Sequence, residues 1–311
     1  KAYKNYLEKS QDNQVAKLVG ENALKSNNHK EAVKYLAMVT GADASDKDHL
    51  MKFAMACYQA KDEFRAYQLF KQLSNISPRD PVVFEKLYEI AGRTGTKDEV
   101  LNYLKKYAEL KPTDAKAQIT LGDMLLEKRD ETGALAAYRA ALKADSSAKG
   151  FYKKYAELVI KSGTDAEKVV AINGAIKQGD ADARMYKVLA DIYSKQNLLD
   201  KAISMYDKAA QLDTKNPQLL NSLAECQLKK GAVNDAILTL EQAVALNPTA
   251  DQELKKLGEL YLRQNKTESA LKYYKKYLEK NPSDDQVALI VGQQAFKAKS
   301  YQDAVKFLGM V

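Results

Sequence analysis

The chain has 311 residues, of which 29% are charged and 45% apolar, with a formal net charge of +8, two histidines, two cysteines and no tryptophan. These proportions fit a soluble folded protein. No apolar run approaches the roughly 18 residues of a membrane span, and no signal peptide is visible. Cys57 and Cys226 lie 169 residues apart, which suggests neither a metal site nor a disulfide framework, so the compartment stays open. The charge is mild for this length and permits an acidic partner without demanding one.

Taken in order, residues 1–12 read as the tail of a second helix whose own repeat is missing. KAYKNYLE (Lys1–Glu8) matches KYYKKYLE (Lys272–Glu279), and Gln14–Val39 matches Gln286–Val311: QVAKLVG against QVALIVG, EAVKYLAMV against QDAVKFLGMV. The two ends thus lie inside the same kind of element. This predicts a fragment of a longer array with a higher-order period of about eight repeats, the alternative being ordinary resemblance between two copies of one unit. It also predicts that Phe307, Leu308, Met310 and Val311 are exposed.

Residues 47–114 predict two helix pairs. Their glycine-rich turn, Gly92–Thr96, lacks the preceding strand and the Gly-Lys-Ser/Thr ending of a phosphate loop. Residues 115–148 are regular. Residues 149–182 are the weak stretch: Lys168 stands where neighbouring units carry a small residue, and Gly150, Gly163, Gly174 and Gly179 accumulate there. Each mid-helix glycine costs about 0.5–1 kcal/mol relative to alanine. This pair is simply irregular, shifted by a residue, or a hinge. Residues 183–284 return to the regular pattern.

The clearest unit is Asp251–Asp284. Leu254, Leu257, Gly258 and Tyr261 share one helical face, Gln264–Thr267 form a break, and Ala270, Tyr274 and Tyr277 rebuild the stripe before Asn281-Pro282 ends it. Steps of 34 residues from Ala270 reach Ala32, Ala66, Val100, Ala134, Lys168, Ala202, Ala236 and Ala304. Small residues recur in the first helix at Gly20, Ala54, Gly122, Ala156, Ala190, Ala224, Gly258 and Gly292, with Tyr88 the exception. Pro78, Pro112, Pro248 and Pro282 end second helices, whereas Pro81 and Pro217 open first ones. Nine units follow, starting at residues 13, 47, 81, 115, 149, 183, 217, 251 and 285, the last one short.

This pattern resembles the tetratricopeptide repeat, lacking only its usual tryptophan. The resemblance implies an all-α fold: an α-solenoid, a right-handed superhelix of about nine 34-residue helix-turn-helix repeats, spanning 1–311 as a single domain. It also implies that first-helix positions 2, 5, 9, 12 and 13 of each repeat line a concave groove that binds protein or peptide. The three-repeat carboxylate clamp and the asparagine ladder of some relatives are both absent.

Catalytic and metal chemistry find little footing. His29 and His49 have no Cys, Asp or Glu at metal-ligand spacing, and no nucleophile elbow or repeated base is visible, so neither a cofactor nor an active site is expected. Tyr103–Tyr107, Tyr152–Tyr155 and Tyr274–Tyr277 interleave tyrosine with lysine as nucleic-acid surfaces do. Register instead places Tyr107, Tyr155, Tyr274 and Tyr277 at packing positions, which makes nucleic acid an unfavoured partner.

The groove is the candidate site. Position 9 carries Glu21, Met55, Glu89, Asp123, Glu157, Asp191, Glu225 and Glu259; position 13 carries Lys25, Arg93, Lys161, Lys195, Lys229, Arg263 and Lys297. An acid four residues before a base supports a helix by about 0.2–0.5 kcal/mol. Two stripes of opposite sign are therefore expected along the groove. Either they only hold helices and keep the groove soluble, or they seat an extended mixed-charge segment. Asn221 belongs to the same face, while Met51, Met55 and Tyr58 form an apolar spot suited to one partner side chain. The reading is a non-catalytic scaffold for a protein or peptide. The alternatives are the recognition arm of a larger enzyme or secretion assembly, and a nucleic-acid-associated array.

Overall fold

The computed structural model describes residues 2–7 and 10–311, so the end-to-end match at Lys1 and Glu8 lies outside the described residues. Every regular element among the described residues is helical. The chain divides into two compact units, Lys1–Phe151 and Tyr152–Val311. The first holds α1 (Ala2–Leu7), α2 (Asn13–Lys25), α3 (His29–Leu36), α4 (Lys47–Gln59), α5 (Glu63–Ile76), α6 (Pro81–Thr94), α7 (Lys97–Leu110), α8 (Ala115–Glu127) and α9 (Glu131–Ala144), with a 3-10 turn at Gly41–Ser45. The second holds α10 (Tyr152–Ser162), α11 (Asp165–Gln178), α12 (Ala183–Lys195), α13 (Leu199–Leu212), α14 (Pro217–Lys230), α15 (Val233–Leu246), α16 (Asp251–Arg263), α17 (Thr267–Leu278), α18 (Asp285–Lys297) and α19 (Tyr301–Leu308). Within each unit, helices pack as hairpins (α4 on α5, α16 on α17), and each hairpin packs on the next through its second helix. That is an all-α solenoid.

Short side chains set the helix starts. Asp46, Asp62, Asp80, Asp114, Asp130, Asp182 and Asp284 accept backbone N–H bonds from the first turn of the helix that follows, satisfying donors with no partner inside the helix. Pro81 and Pro217 occupy first-turn positions where a missing donor costs nothing. Most hairpin turns place one residue in the left-handed region: Asn27, Lys61, Arg129, Asn197, Asn265 and Lys299, and Gly231 at φ 86°. Two turns close differently. After Gly95 and Gly163, Thr96 and Thr164 form capping boxes with Glu99 and Glu167.

Two expectations are corrected. In the weak stretch, where α10 begins at Tyr152, only Gly174 of the four glycines lies inside a helix; Gly179 caps α11 at φ 78°. Phe307 is buried rather than exposed (4%), whereas Leu308 and Val311 are open, at 39% and 60%. The lysine-flanked tyrosines sit where register puts them: Tyr107, Tyr155, Tyr274 and Tyr277 are all buried.

Candidate functional site

The first helices carry the predicted face, and its acids are largely consumed by the scaffold. Instead of the i→i+4 pairing with position 13 expected within each helix, five of these acids take other partners. Lys52, on the next first helix, reaches Glu21 at 2.8 Å, and Lys256 likewise reaches Glu225 at 3.6 Å. Lys86 pairs with Glu89 at 2.8 Å, while the Tyr58 hydroxyl donates to the same carboxylate at 2.6 Å. Burial pushes the Glu89 carboxyl upward, but these hydrogen bonds outweigh it and hold it below the usual range. Tyr138 and Tyr206, from the second helices, donate to Asp123 and Asp191 at 2.5 Å, and Lys187 adds an ion pair to Asp191 at 2.8 Å. Glu157 and Glu259 are exposed.

Position 13 divides between the two units. Arg93 is engaged by Glu63, from the second helix of the preceding hairpin. The same link recurs as Lys97 to Glu127 (2.8 Å), Lys128 to Asp98, Lys230 to Asp200 and Gln264 to Asn234 (2.8 Å). Each pair lies 30 residues apart and ties the start of one second helix to the end of the next first helix. Sequence reasoning missed this clasp. Its signal is a charge at the start of a second helix with a complementary group 30 residues on. Lys25, Lys161, Lys195, Lys229, Arg263 and Lys297 are all exposed, and none of the ion pairs of the described residues takes Lys195, Lys229, Arg263 or Lys297. In the second unit the two expected stripes thus reduce to a row of exposed cations beside carboxylates of which Asp191 and Glu225 are paired and Glu157 and Glu259 are exposed.

Met51, Met55 and Tyr58 are half-buried against the core of the first unit, and Lys86 and Arg93 stand over the Tyr58 ring at 4.9 and 5.4 Å. The spot is narrower and more cationic at its edge than its composition implies. Asn221, Glu225 and Glu259 instead line an open cleft of about 450 Å³ between α14 and α16, with Gln252, Glu253, Lys255 and Lys256. The Asn221 amide nitrogen donates to Glu253, whereas its buried Oδ1 has no partner. Glu259 and Arg263 line a second cleft that adjoins the first at Lys256, with Leu228, Val233 and Gln264. Glu21, Lys25, Glu89, Asp123, Glu157, Lys161, Asp191, Lys195, Lys229 and Lys297 line neither.

No group of three or more His, Cys, Asp or Glu side chains among the described residues is placed to hold a metal ion. Among the described residues, no helix is long and apolar enough to cross a membrane. Both cysteines are free and buried, and burial pushes the Cys57 thiol up to about 12, so it stays protonated and unreactive.

The fold defines a helical-repeat protein. Models described as tetratricopeptide repeats match residues 98–149 and 193–260, and one described as subunit 3 of the anaphase-promoting complex, or cyclosome, matches residues 229–311. The chain is a tetratricopeptide-repeat protein. No curated protein matches it. Similar solved structures include YrrB, described as a TPR protein with an unusual peptide-binding site (21% identity, 61% of this chain, 97% of that one, TM-score 0.44). MamA is also similar (22%, 61% and 91%, TM-score 0.36), as is the Naa15/Naa10 complex bound to HypK-THB (15%, 85% and 39%, TM-score 0.48).

Proposed function

We propose that the protein is a non-catalytic interaction scaffold that binds an extended peptide segment carrying carboxylates along the first-helix face of its second unit. The observation that carries this reading is Asn221. Asn221 lines a cleft open to solvent, and its Oδ1 accepts from no other side chain or backbone group, so the amide has an acceptor to turn toward a donor that enters the cleft. The backbone N–H of an extended segment is such a donor. Arg263 lines the second cleft as an exposed cation, and Lys229 is exposed next in sequence to Leu228, which lines the same cleft; both are suited to carboxylates on the same segment.

Panning a library of random displayed 12-residue peptides against the protein tests this. Enriched peptides should be rich in Asp and Glu, should weaken as salt rises, and should bind at least tenfold more weakly to Asn221→Ala combined with Lys195→Glu, Lys229→Glu and Arg263→Glu. Equal binding to wild type and variant, or no enrichment, would overturn it.

A further inference from the structure

Within the second unit, α11, α12 and α13 begin 68 residues before α15, α16 and α17, so the two sets match residue by residue. In the later set, the Tyr273 ring lies parallel to that of Tyr261 with centroids 5.7 Å apart. Both hydroxyls donate to Glu241 of α15, at 2.6 Å from Tyr273 and 2.8 Å from Tyr261. The Tyr273 ring fills the groove between α15 and α17 and is 7% exposed.

The groove between α11 and α13 lacks two of these three groups. Tyr193 stands at the place of Tyr261, but Met205 replaces Tyr273 and Asn173 replaces Glu241. What remains is an open cavity of about 340 Å³, lined by Asn173, Ile176, Leu189, Tyr193 and Met205. Neighbouring grooves carry a substitute for the ring: Thr239, at the matching place in α15, is buried and donates to Gln227 at 2.9 Å, and Phe307, in α19, is buried too. The rim of the cavity is cationic. Lys201 and Lys208 line it, both exposed, and none of the ion pairs of the described residues takes either, whereas Asp200 beside them is engaged by Lys230.

We infer that the groove between α11 and α13 receives a tyrosine side chain of a partner protein, flanked in the partner's sequence by Asp or Glu. The incoming ring takes the place against Tyr193 that Tyr273 takes against Tyr261, and its hydroxyl donates to the Asn173 amide oxygen. Lys201, which stands over the Tyr193 ring at 5.6 Å, turns outward as the ring enters and with Lys208 pairs with the flanking carboxylates. This cavity shares no residue with the clefts at Asn221 and Arg263, and the inference does not depend on them.

The test uses fluorescein-labelled Gly-Glu-Glu-Tyr-Glu-Glu-Gly, titrated by anisotropy against the whole protein. Saturable binding is expected, at least tenfold weaker when alanine replaces the tyrosine. Binding should also fall at least tenfold for Asn173→Glu combined with Met205→Tyr, which closes the groove as Glu241 and Tyr273 close theirs, and this variant should melt no lower than wild type. If it does melt lower, Lys201→Glu combined with Lys208→Glu, both at exposed positions, makes the same comparison. Absence of binding, equal binding of the tyrosine and alanine peptides, or equal binding to wild type and a folded variant would overturn the inference. So would binding that Lys229→Glu with Arg263→Glu abolishes and the closed groove retains, since that assigns the peptide to the clefts on the first-helix face.

Discussion

The hairpins α16–α17 and α10–α11 solve one packing problem in opposite ways. In α16–α17 the first helix lacks a side chain at Gly258 and the second supplies the Tyr274 ring; a Cβ on Gly258 would lie 2.5 Å from that ring. In α10–α11 the first helix supplies the Tyr152 ring, and the second lacks a side chain at Gly174, where a Cβ would lie 2.0 Å away. The close crossing therefore needs one ring and one missing side chain, and either helix can provide either. Exchanging the roles also frees the position that alanine occupies elsewhere. Ala270 is 1% exposed, whereas the matching Lys168 keeps 21% of its side chain open and pairs with Asp165 at 3.6 Å. What looks like decay of the repeat is a second arrangement of the same contact.

The largest expected effect separates these two arrangements at one repeat position. Ala202, fully buried in the regular hairpin α12–α13, has no room for a longer side chain and no partner for a charge. Ala202→Glu should destabilise by more than about 3 kcal/mol in denaturant unfolding, from overpacking and an unpaired buried carboxylate. Lys168→Ala, 34 residues earlier, should stay within about 0.5 kcal/mol, because it loses only a partly exposed ion pair. Similar losses at the two sites would mean that both hairpins pack alike.

Next in size come the glycines. Gly174→Ala and Gly258→Ala should each cost about 1–3 kcal/mol by forcing a methyl group into a ring. Gly92→Ala should instead stabilise by about 0.5–1 kcal/mol, since a Cβ there meets nothing within 4 Å on a helical backbone. If the contact is the one described, Tyr152→Leu should relieve much of the Gly174→Ala penalty in the double variant. Additive losses would point to a different constraint on Gly174.

Local chemistry made the helices legible in the sequence. Aspartates one residue before apolar stripes, prolines at first-turn positions and small residues every 34 positions each have a local cause, so periodicity alone located the hairpins. The α10 start escaped because Ala156 keeps the small residue at its usual first-helix place, while Gly150, at φ 86°, holds the residues before Tyr152 out of the helix. The candidate face was legible only as composition. Glu21, Glu89, Asp191 and Glu225 were visible as acids, but whether an acid faces a ligand or its own scaffold depends on partners outside its helix. Lys52 on Glu21 is 31 residues distant and Tyr206 on Asp191 is 15. The clasps at 30-residue separation follow from which helix ends adjoin, and a 34-residue period does not state that.

The smallest effect concerns a link that α16–α17 has and α10–α11 lacks. Tyr277 donates to Asp284 at 2.9 Å and Lys255 reaches the same carboxylate at 2.7 Å; in α10–α11 the residue matching Tyr277 is Ala175. Lys255, aided by the Val287 N–H and the Tyr277 hydroxyl, outweighs the opposing desolvation and holds the Asp284 carboxyl below its ordinary 3.8. A carboxyl with a lowered folded pKa contributes stability that is complete above the unfolded value and is lost as pH falls through the folded one. Asp284→Asn keeps the side-chain oxygen that caps α18 but loses the charge. It should lower stability at pH 7 by under about 1 kcal/mol, and the gap from wild type should close as melts are taken from pH 5 down to 3. A gap that persists at pH 3 would assign the loss to packing around Tyr277 rather than to the Lys255 charge.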